Sequence, residues 1–254
     1  MIELEYKYTL TERGQMSRIL ALGDEDLPVQ RLAAIYFNDQ AGRLDDARFS
    51  LRLRRENNLL LLTLKVPSDS ENSAEKNADP ALQTRYEWTL IEWAAAEFLP
   101  DADLSDESKL LQMLPGWLKE ASSLMEQKII DKMQKHAFSQ AAALLNGIPA
   151  AQWVCTGGTR IVRHGRQLVS DGYVWHLTID DGVLFSGSST LSCLEVELEL
   201  VSAPDEASSA VPHPLADHPV MRFLTPEARS KQERILELYH GHAPRTAVKP
   251  CEDS

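Results

Sequence analysis

Cysteine is scarce. Cys155, Cys193 and Cys251 are the only three in 254 residues. An odd, widely spaced set gives neither a disulfide framework nor a zinc-ligand spacing, so they read as ordinary reduced thiols. No run of about 18 apolar residues occurs, and no membrane-spanning helix is predicted. The opening residues Met1-Ile2-Glu3-Leu4-Glu5 carry acid where a signal peptide needs a basic and then an apolar region, so a cytoplasmic protein is expected. Positive charge is short as well: 26 Lys and Arg stand against 38 Asp and Glu, a net charge of -12. That excludes a general nucleic-acid binder, which needs a basic footprint. A small anion is still allowed, because a local basic cluster between low-dielectric walls outweighs a distant net field. The seven histidines form no metal-spaced pair, and His240 and His242 read as solvated residues at a helix end. No glycine-rich phosphate loop is present: Gly157-Gly158 reads as a turn before a strand, with no helix following. There is no internal repeat.

What the sequence does have is alternation. It is 43% hydrophobic, enough for a core. Over residues 2–8, Ile2, Leu4, Tyr6 and Tyr8 fall on one side and Glu3, Glu5 and Lys7 on the other. Thr11 to about Leu22 reads as a short helix ending at Gly23, and Asp24-Glu25-Asp26 as an exposed acidic loop. Residues 32–38 read as a strand. Arg48–Arg55 and Leu59–Val66 flank Glu56-Asn57-Asn58, and asparagine tolerates the positive φ of a two-residue hairpin turn. That turn sets Glu56 opposite Leu59, Arg54 opposite Leu61, Arg52 opposite Thr63 and Ser50 opposite Lys65. Opposed residues share a face. Arg52, Arg54 and Lys65 therefore point to one side, and Leu51, Leu53, Leu60, Leu62 and Leu64 to the other.

Residues 67–83 read as a flexible polar loop and 84–91 as a returning strand. The span from about 107 to 147 is helical in pattern, with Pro115 expected to separate two helices outside the barrel. Strands are predicted at about 159–169, 173–180 and 193–201. A proline-containing loop over 202–220 leads to Thr225-Pro226, read as the N-cap and first residue of a final helix. Residues 242–254 read as a flexible tail. The tryptophans, including Trp88, Trp117 and Trp175, read as core.

Taken singly, each charged strand face would be a solvated surface. Together they form a pattern. Glu3 and Glu5 lie on one strand, Glu195, Glu197 and Glu199 on another, and the hairpin concentrates Arg52, Arg54 and Lys65. Carboxylates repelling along one strand call for a cation between them, and a hard divalent ion coordinated by oxygen supplies it. Clustered arginine and lysine call for an anion, and the guanidinium fork suits phosphate. A sheet closed into a barrel would turn these faces inward and leave the leucine faces outward under the helices.

Glu3-Leu4-Glu5-Tyr6-Lys7 resembles the ExExK signature of the CYTH, or triphosphate tunnel metalloenzyme, superfamily. The resemblance continues in order through Leu51-Arg52-Leu53-Arg54, Thr63-Leu64-Lys65, Arg85-Tyr86-Glu87, Arg163, Asp180, Glu195-Val196-Glu197 and Lys231. The whole is most similar to the CYTH domains of bacterial inorganic triphosphatases. What the resemblance implies is an α+β fold: an eight-stranded antiparallel barrel with a polar interior and helices packed outside, spanning residues 1–241. It implies Mg²⁺ or Mn²⁺ held by Glu3, Glu5, Glu195 and Glu197, with Asp180 as a further candidate. It implies polyphosphate bound by Lys7, Arg52, Arg54, Lys65, Arg85, Arg163 and Lys231. Catalytic roles fall to Lys231 and to Glu87, which would support the inner ligands or position water. Two features depart from the pattern: the helical stretch is longer than the compact members lead one to expect, and the 254 residues stop before the histidine-containing helical domain that many bacterial relatives carry. Arg160 competes with Arg163 for one position, and Glu199 less strongly with Glu195 and Glu197.

The reaction so implied is metal-dependent hydrolysis of inorganic triphosphate to diphosphate and phosphate, on a small-molecule substrate. No nucleic-acid or membrane partner is expected, and a homodimer is allowed. The alternatives within the same tunnel are a thiamine triphosphatase and a class IV adenylate cyclase. A non-catalytic polyphosphate-binding module is the alternative of another class.

Overall fold

The computed structural model describes residues 2–68, 81–94, 104, 106–129, 131–204 and 211–242. Strands β1 (Ile2–Leu10), β2 (Glu25–Asp39), β3 (Ser50–Glu56), β4 (Leu59–Pro67), β5 (Leu82–Ala94), β6 (Trp153–Ser170), β7 (Tyr173–Ser186) and β8 (Ser189–Ser202) run antiparallel in the order β5-β4-β3-β2-β6-β7-β8-β1. Pairing of β1 with β5 closes this ring of eight into a barrel. Closure leaves no open edge among the eight. A three-residue strand β9 (Leu224–Pro226) adds to β1 beyond its contact with β5.

The hairpin register is as the turn chemistry predicts. Glu56 faces Leu59, Arg54 faces Leu61, Arg52 faces Thr63 and Ser50 faces Lys65. Asn57 takes the left-handed conformation at φ 52°. The strands at 84–91, 159–169, 173–180 and 193–201 are all present and longer than expected. The acidic residues Glu25 and Asp26 open β2 rather than lying in a loop, and both are exposed.

Helices α1 (Met16–Leu20), α2 (Arg43–Asp46), α3 (Glu107–Lys128), α4 (Lys132–Asn146) and α5 (Lys231–His242) pack around the barrel. The first is shorter than the sequence suggests: a 3₁₀ turn over Arg13–Gln15 precedes it, and it is capped at Ala21, not Gly23. Two apolar layers cover the outside. Leu51, Leu53, Leu60, Leu62 and Leu64 lie fully buried against Leu110, Leu114, Trp117 and Phe138 of α3 and α4. On the other flank, Tyr6, Tyr8, Trp175 and Leu198 pack with Ile19 of α1 and with Leu215 and Val220. Trp88, Trp117 and Trp175 are all core residues.

Three further sequence expectations fail. Pro115 lies inside α3 and does not separate two helices. Proline removes one backbone donor, but Leu110, Leu114, Trp117 and Leu118 bury a continuous stripe across it. The break falls instead at Ile129, where the chain is extended, and Asp131 then caps α4 by accepting from the Gln134 N–H. Thr225-Pro226 belongs to β9, not to the last helix. The last helix begins at Lys231 behind a capping box: Ser230 Oγ accepts from the Glu233 N–H, while Glu233 Oε2 accepts from the Ser230 N–H. Gly157-Gly158 is not a turn but the interior of β6, where the register with β2 shifts between Tyr36 and Phe37. Gly157 has φ 145°, and a Cβ there would meet the Phe185 carbonyl. The loop over 67–83 lies largely, and the tail over 242–254 almost wholly, outside the described residues.

Candidate active site

The alternation of each strand now has a geometric meaning: the charged faces turn into the barrel. A cavity of about 270 Å³ runs inside it. β1 contributes Glu3, Glu5 and Lys7, β3 contributes Arg52, Arg54 and Glu56, and β4 contributes Lys65. β5 gives Arg85 and Glu87, β6 gives Arg163, β7 gives His176 and Asp180, and β8 gives Glu197 and Glu199. Lys231 enters from the start of α5. Among the described residues, seven acidic and seven basic side chains line this one space.

α5 closes one end. Its residues at helical spacing, Lys231, Arg234 and Ile235, face the barrel, and Ile235 packs with Ala34, Tyr36, Ile161, Leu184 and Cys193. Under the helix an apolar patch thus lies beside the buried Glu195–Arg234 ion pair, and the lumen beyond is charged.

The charges are matched in pairs. Arg163 Nε donates to Asp180 Oδ1 at 2.6 Å and its Nη2 to Asp180 Oδ2 at 2.8 Å, a forked contact; Nη2 also donates to Glu197 at 2.6 Å. Lys231 Nζ lies 2.6 Å from both Glu195 and Glu197 and 3.0 Å from Asp180. Arg234 pairs with Glu195 behind them. Toward β5, Lys65 Nζ reaches Glu3 at 2.6 Å and Glu87 at 3.0 Å, and Arg52 reaches Glu87 at 3.2 Å. Arg54 pairs with Glu56 and Lys7 with Glu5.

Titration follows from these pairings. Burial works to raise Glu197, but Lys231 and Arg163 override it and hold the carboxyl well below the usual range. Asp180 is lowered in the same way: burial opposes ionisation, and Arg163 and Lys231 win. At Glu87, burial again opposes, and Lys65 and Arg52 bring the carboxyl down. Glu3 behaves differently. Burial dominates, Lys65 is shared with Glu87, and the charges of Glu5 and Glu87 add repulsion, so its carboxyl is pushed up to about 7. Glu199 is also raised, by burial and by Glu5.

Two features show what the cavity can receive. Arg52 and Arg54 each keep a buried Nε–H without a hydrogen-bond partner, and burial together with Arg52 lowers Arg54. Donors in this state fit an anion. Asp180, Glu195 and Glu197 each place one oxygen within 4.8 Å of the others. Three hard oxygen donors at that spacing fit a hard divalent cation.

Every sequence candidate except Glu195 lines the cavity. Glu195 is fully buried beneath α5, between Lys231 and Arg234. Arg163 faces inward, while Arg160, on the opposite side of the same strand, is exposed over the Phe185 ring. Glu199, ranked behind its neighbours, lines the cavity and lies opposite Glu5. The sequence reading missed Tyr36, His176, Gln83 and Gln232. Gln83 accepts from Lys7 at 3.4 Å and donates to the carbonyls of Glu227 and Ala228, tying β1 to the segment before α5. Its period-two spacing with Arg85 and Glu87 was the available signal.

No curated protein sequence matches the chain. The chain is similar to several solved structures, among them an adenylyl cyclase-like protein from Hippeastrum described as having a dominant triphosphatase activity, at 19% identity over 79% of this chain and 80% of that one, with TM-score 0.48. A protein from Bacillus halodurans described as an adenylate cyclase is 15% identical over 79% and 82%, with TM-score 0.40. An inorganic triphosphatase is 15% identical over 86% and 89%, with TM-score 0.27. The CYTH domain model matches residues 1–212, which carry every strand of the closed barrel. With a closed eight-stranded barrel, a charged lumen and that match in hand, the chain belongs to the CYTH domain family.

Proposed function

We propose that this protein hydrolyses inorganic triphosphate to diphosphate and phosphate with the help of a divalent metal ion. The observation that carries the reading is the lumen itself: seven acidic and seven basic side chains around about 270 Å³, with Tyr36 and His176 the only aromatic rings on the wall among the described residues. Small-molecule pockets usually measure ~300–1,000 Å³ and are mainly apolar. This one is smaller and charged, which suits an inorganic chain better than a nucleobase or a thiamine ring.

The pairing of acids with bases sets how binding proceeds. A polyphosphate takes Arg52, Arg54, Lys65 and Arg163 away from their carboxylates, because its oxygens accept forked and charge-assisted hydrogen bonds equally well. The released carboxylates then need cations. Glu3, Glu5, Asp180, Glu197 and Glu199, with Glu195 behind them, are the residues that would hold Mg²⁺ or Mn²⁺. When bound, such an ion would supply charge neutralisation on the phosphate oxygens and polarise an attacking water. Glu87, held ionised beside Lys65 and Arg52, accepts a hydrogen bond from that water and orients it. Arg52 and Arg54 stabilise the charge that gathers on the transferred group. Positioning and charge stabilisation carry the chemistry, and no protein nucleophile is required. The barrel with its helices, residues 1–241, is the unit we assign to this activity.

A substrate panel tests the reading. Phosphate release is measured from tripolyphosphate, thiamine triphosphate and ATP, each with Mg²⁺ and with Mn²⁺. Tripolyphosphate is expected to give the highest kcat/KM. Preference for thiamine triphosphate, cyclic nucleotide formation from ATP, or tight binding without release would each replace this reading with one of its rivals.

A further inference from the structure

The ammonium of Lys231 lies where a divalent cation would be held. Its Nζ is within 3.0 Å of oxygens from Asp180, Glu195 and Glu197, the three carboxylates whose spacing fits a metal. Those three negative charges face three positive ones: Lys231, Arg163 on Asp180 and Glu197, and Arg234 on Glu195. The cluster is neutral as it stands. A divalent ion entering beside Lys231 would add two charges to a neutral, water-poor group and meet an ammonium at contact range. An ion taking the place of Lys231 changes the sum by only one.

We propose that Lys231 is a tethered counterion for this triad, that divalent metal binds by displacing it, and that the freed amine moves into the lumen as a ligand for polyphosphate oxygens. The proposal rests on the lumen being a metal and polyphosphate site. Lys231 is the cation able to make this exchange. Until polyphosphate arrives, Arg163 is held by its fork on Asp180 and its bond to Glu197, and Arg234 is buried beneath α5 beside Glu195. A lysine is a point charge on a flexible four-carbon stem, and Lys231 already lines the cavity. Its backbone need not move, because the Ser230–Glu233 capping box fixes the start of α5. Metal and polyphosphate binding then become positively coupled: the ion releases a phosphate ligand, and the phosphate stabilises the displaced amine.

The test uses the intact wild-type protein without polyphosphate. Lysines are acetylated with a small anhydride in the absence and presence of Mg²⁺ and quantified residue by residue by mass spectrometry. Lys119 and Lys135, exposed on the outer helices, serve as internal standards. Lys231 is expected to react on the order of fivefold faster with metal present. Unchanged reactivity of Lys231 in a protein that binds Mn²⁺ by electron paramagnetic resonance overturns the exchange, and so does failure to bind Mn²⁺ at all. Metal-dependent exposure of Lys231 in a protein that releases no phosphate supports the exchange and removes only the hydrolase reading. A second arm titrates Mn²⁺ into Lys231→Met, which is expected to bind on the order of tenfold tighter than wild type. Equal or weaker binding contradicts the proposal.

Discussion

Two groups of carboxylates lie side by side on the neighbouring strands β7, β8 and β1, and they are held in different ways. Asp180, Glu195 and Glu197 are saturated by Lys231, Arg163 and Arg234, and burial cannot raise Asp180 or Glu197 against those cations. Glu3, Glu5 and Glu199 share Lys65 and Lys7, with Glu87 drawing on Lys65 as well; Glu3 and Glu199 are pushed upward, while at Glu5 burial opposes ionisation and Lys7 brings the carboxyl down. The first group is a finished ion-pair network that must be opened before it can bind anything. The second is short of positive charge in the metal-free protein. A cation entering the second group relieves repulsion, whereas one entering the first must exchange with a side chain.

The sharpest way to break this comparison is to remove a charge that both groups feel. Glu197→Gln deletes a donor from the saturated group and a neighbour of Glu5. Its turnover of tripolyphosphate is expected to fall by about 10²–10³-fold, the range for loss of one preorganised electrostatic group. Metal titration at saturating substrate should show most of the metal response gone. A variant that tracks wild type across that titration would remove Glu197 from the metal set.

Stability separates the two groups next. Glu195→Gln leaves Arg234 and Lys231 facing an uncharged amide in a fully buried place. Breaking one side of such a pair costs about 3–5 kcal/mol. Urea denaturation of the metal-free protein reads this directly, and a loss below about 1 kcal/mol would mean that the network is not satisfied as described.

Glu3→Gln is expected to act with the opposite sign. The folded-state carboxyl lies near 7 against an ordinary 4.5, so the folded protein binds a proton that the unfolded chain has already lost. That contribution is fully present below 4.5 and is lost as pH rises through 7, by up to about 3 kcal/mol. Glu3→Gln should flatten this decline in the metal-free protein, as followed by denaturation midpoints across the same pH window. Asp180 and Glu197, whose carboxyls are lowered, give the reverse dependence: their stabilisation is present above the ordinary carboxylate range and is lost in strong acid. An unchanged pH slope in Glu3→Gln would show that the two groups do not differ.

The smallest effect belongs outside the lumen. Arg160→Ala removes a cation stacked on Phe185 and is expected to cost about 0.5–1 kcal/mol. Its KM for tripolyphosphate should stay within about twofold of wild type, whereas Arg163→Ala, which deletes a forked anion donor, should raise KM. Equal effects at both positions would contradict the facing of β6.

What could be read without coordinates follows from range. The β3–β4 hairpin was legible because one local turn at Asn57-Asn58 fixes register, and register fixes faces. The inward charges of β1, β5, β7 and β8 were legible from period two and from the family pattern. Closure of β5 on β1 links distant parts of the chain and leaves no local mark beyond that pattern. Arg160 and Arg163 could be separated only when β6 acquired a partner on each side. Pro115 and Thr225-Pro226 misled for one reason: strong local signals lost to tertiary context, a buried stripe in one case and pairing with β1 in the other. The Ser230–Glu233 capping box was present in the sequence and marks the true helix start. Tyr36 and His176 stayed hidden because a lone aromatic on a strand does not announce which face it lines.

The central claim is that this charged lumen cleaves inorganic triphosphate only together with a divalent cation. Phosphate release from tripolyphosphate, followed in one sample before chelation, after chelation and after restoring Mg²⁺ or Mn²⁺, tests it most directly. Release that stops on chelation and returns with the metal is the predicted result. Release at an undiminished rate in excess chelator, or none under any metal while tripolyphosphate binds, would contradict it.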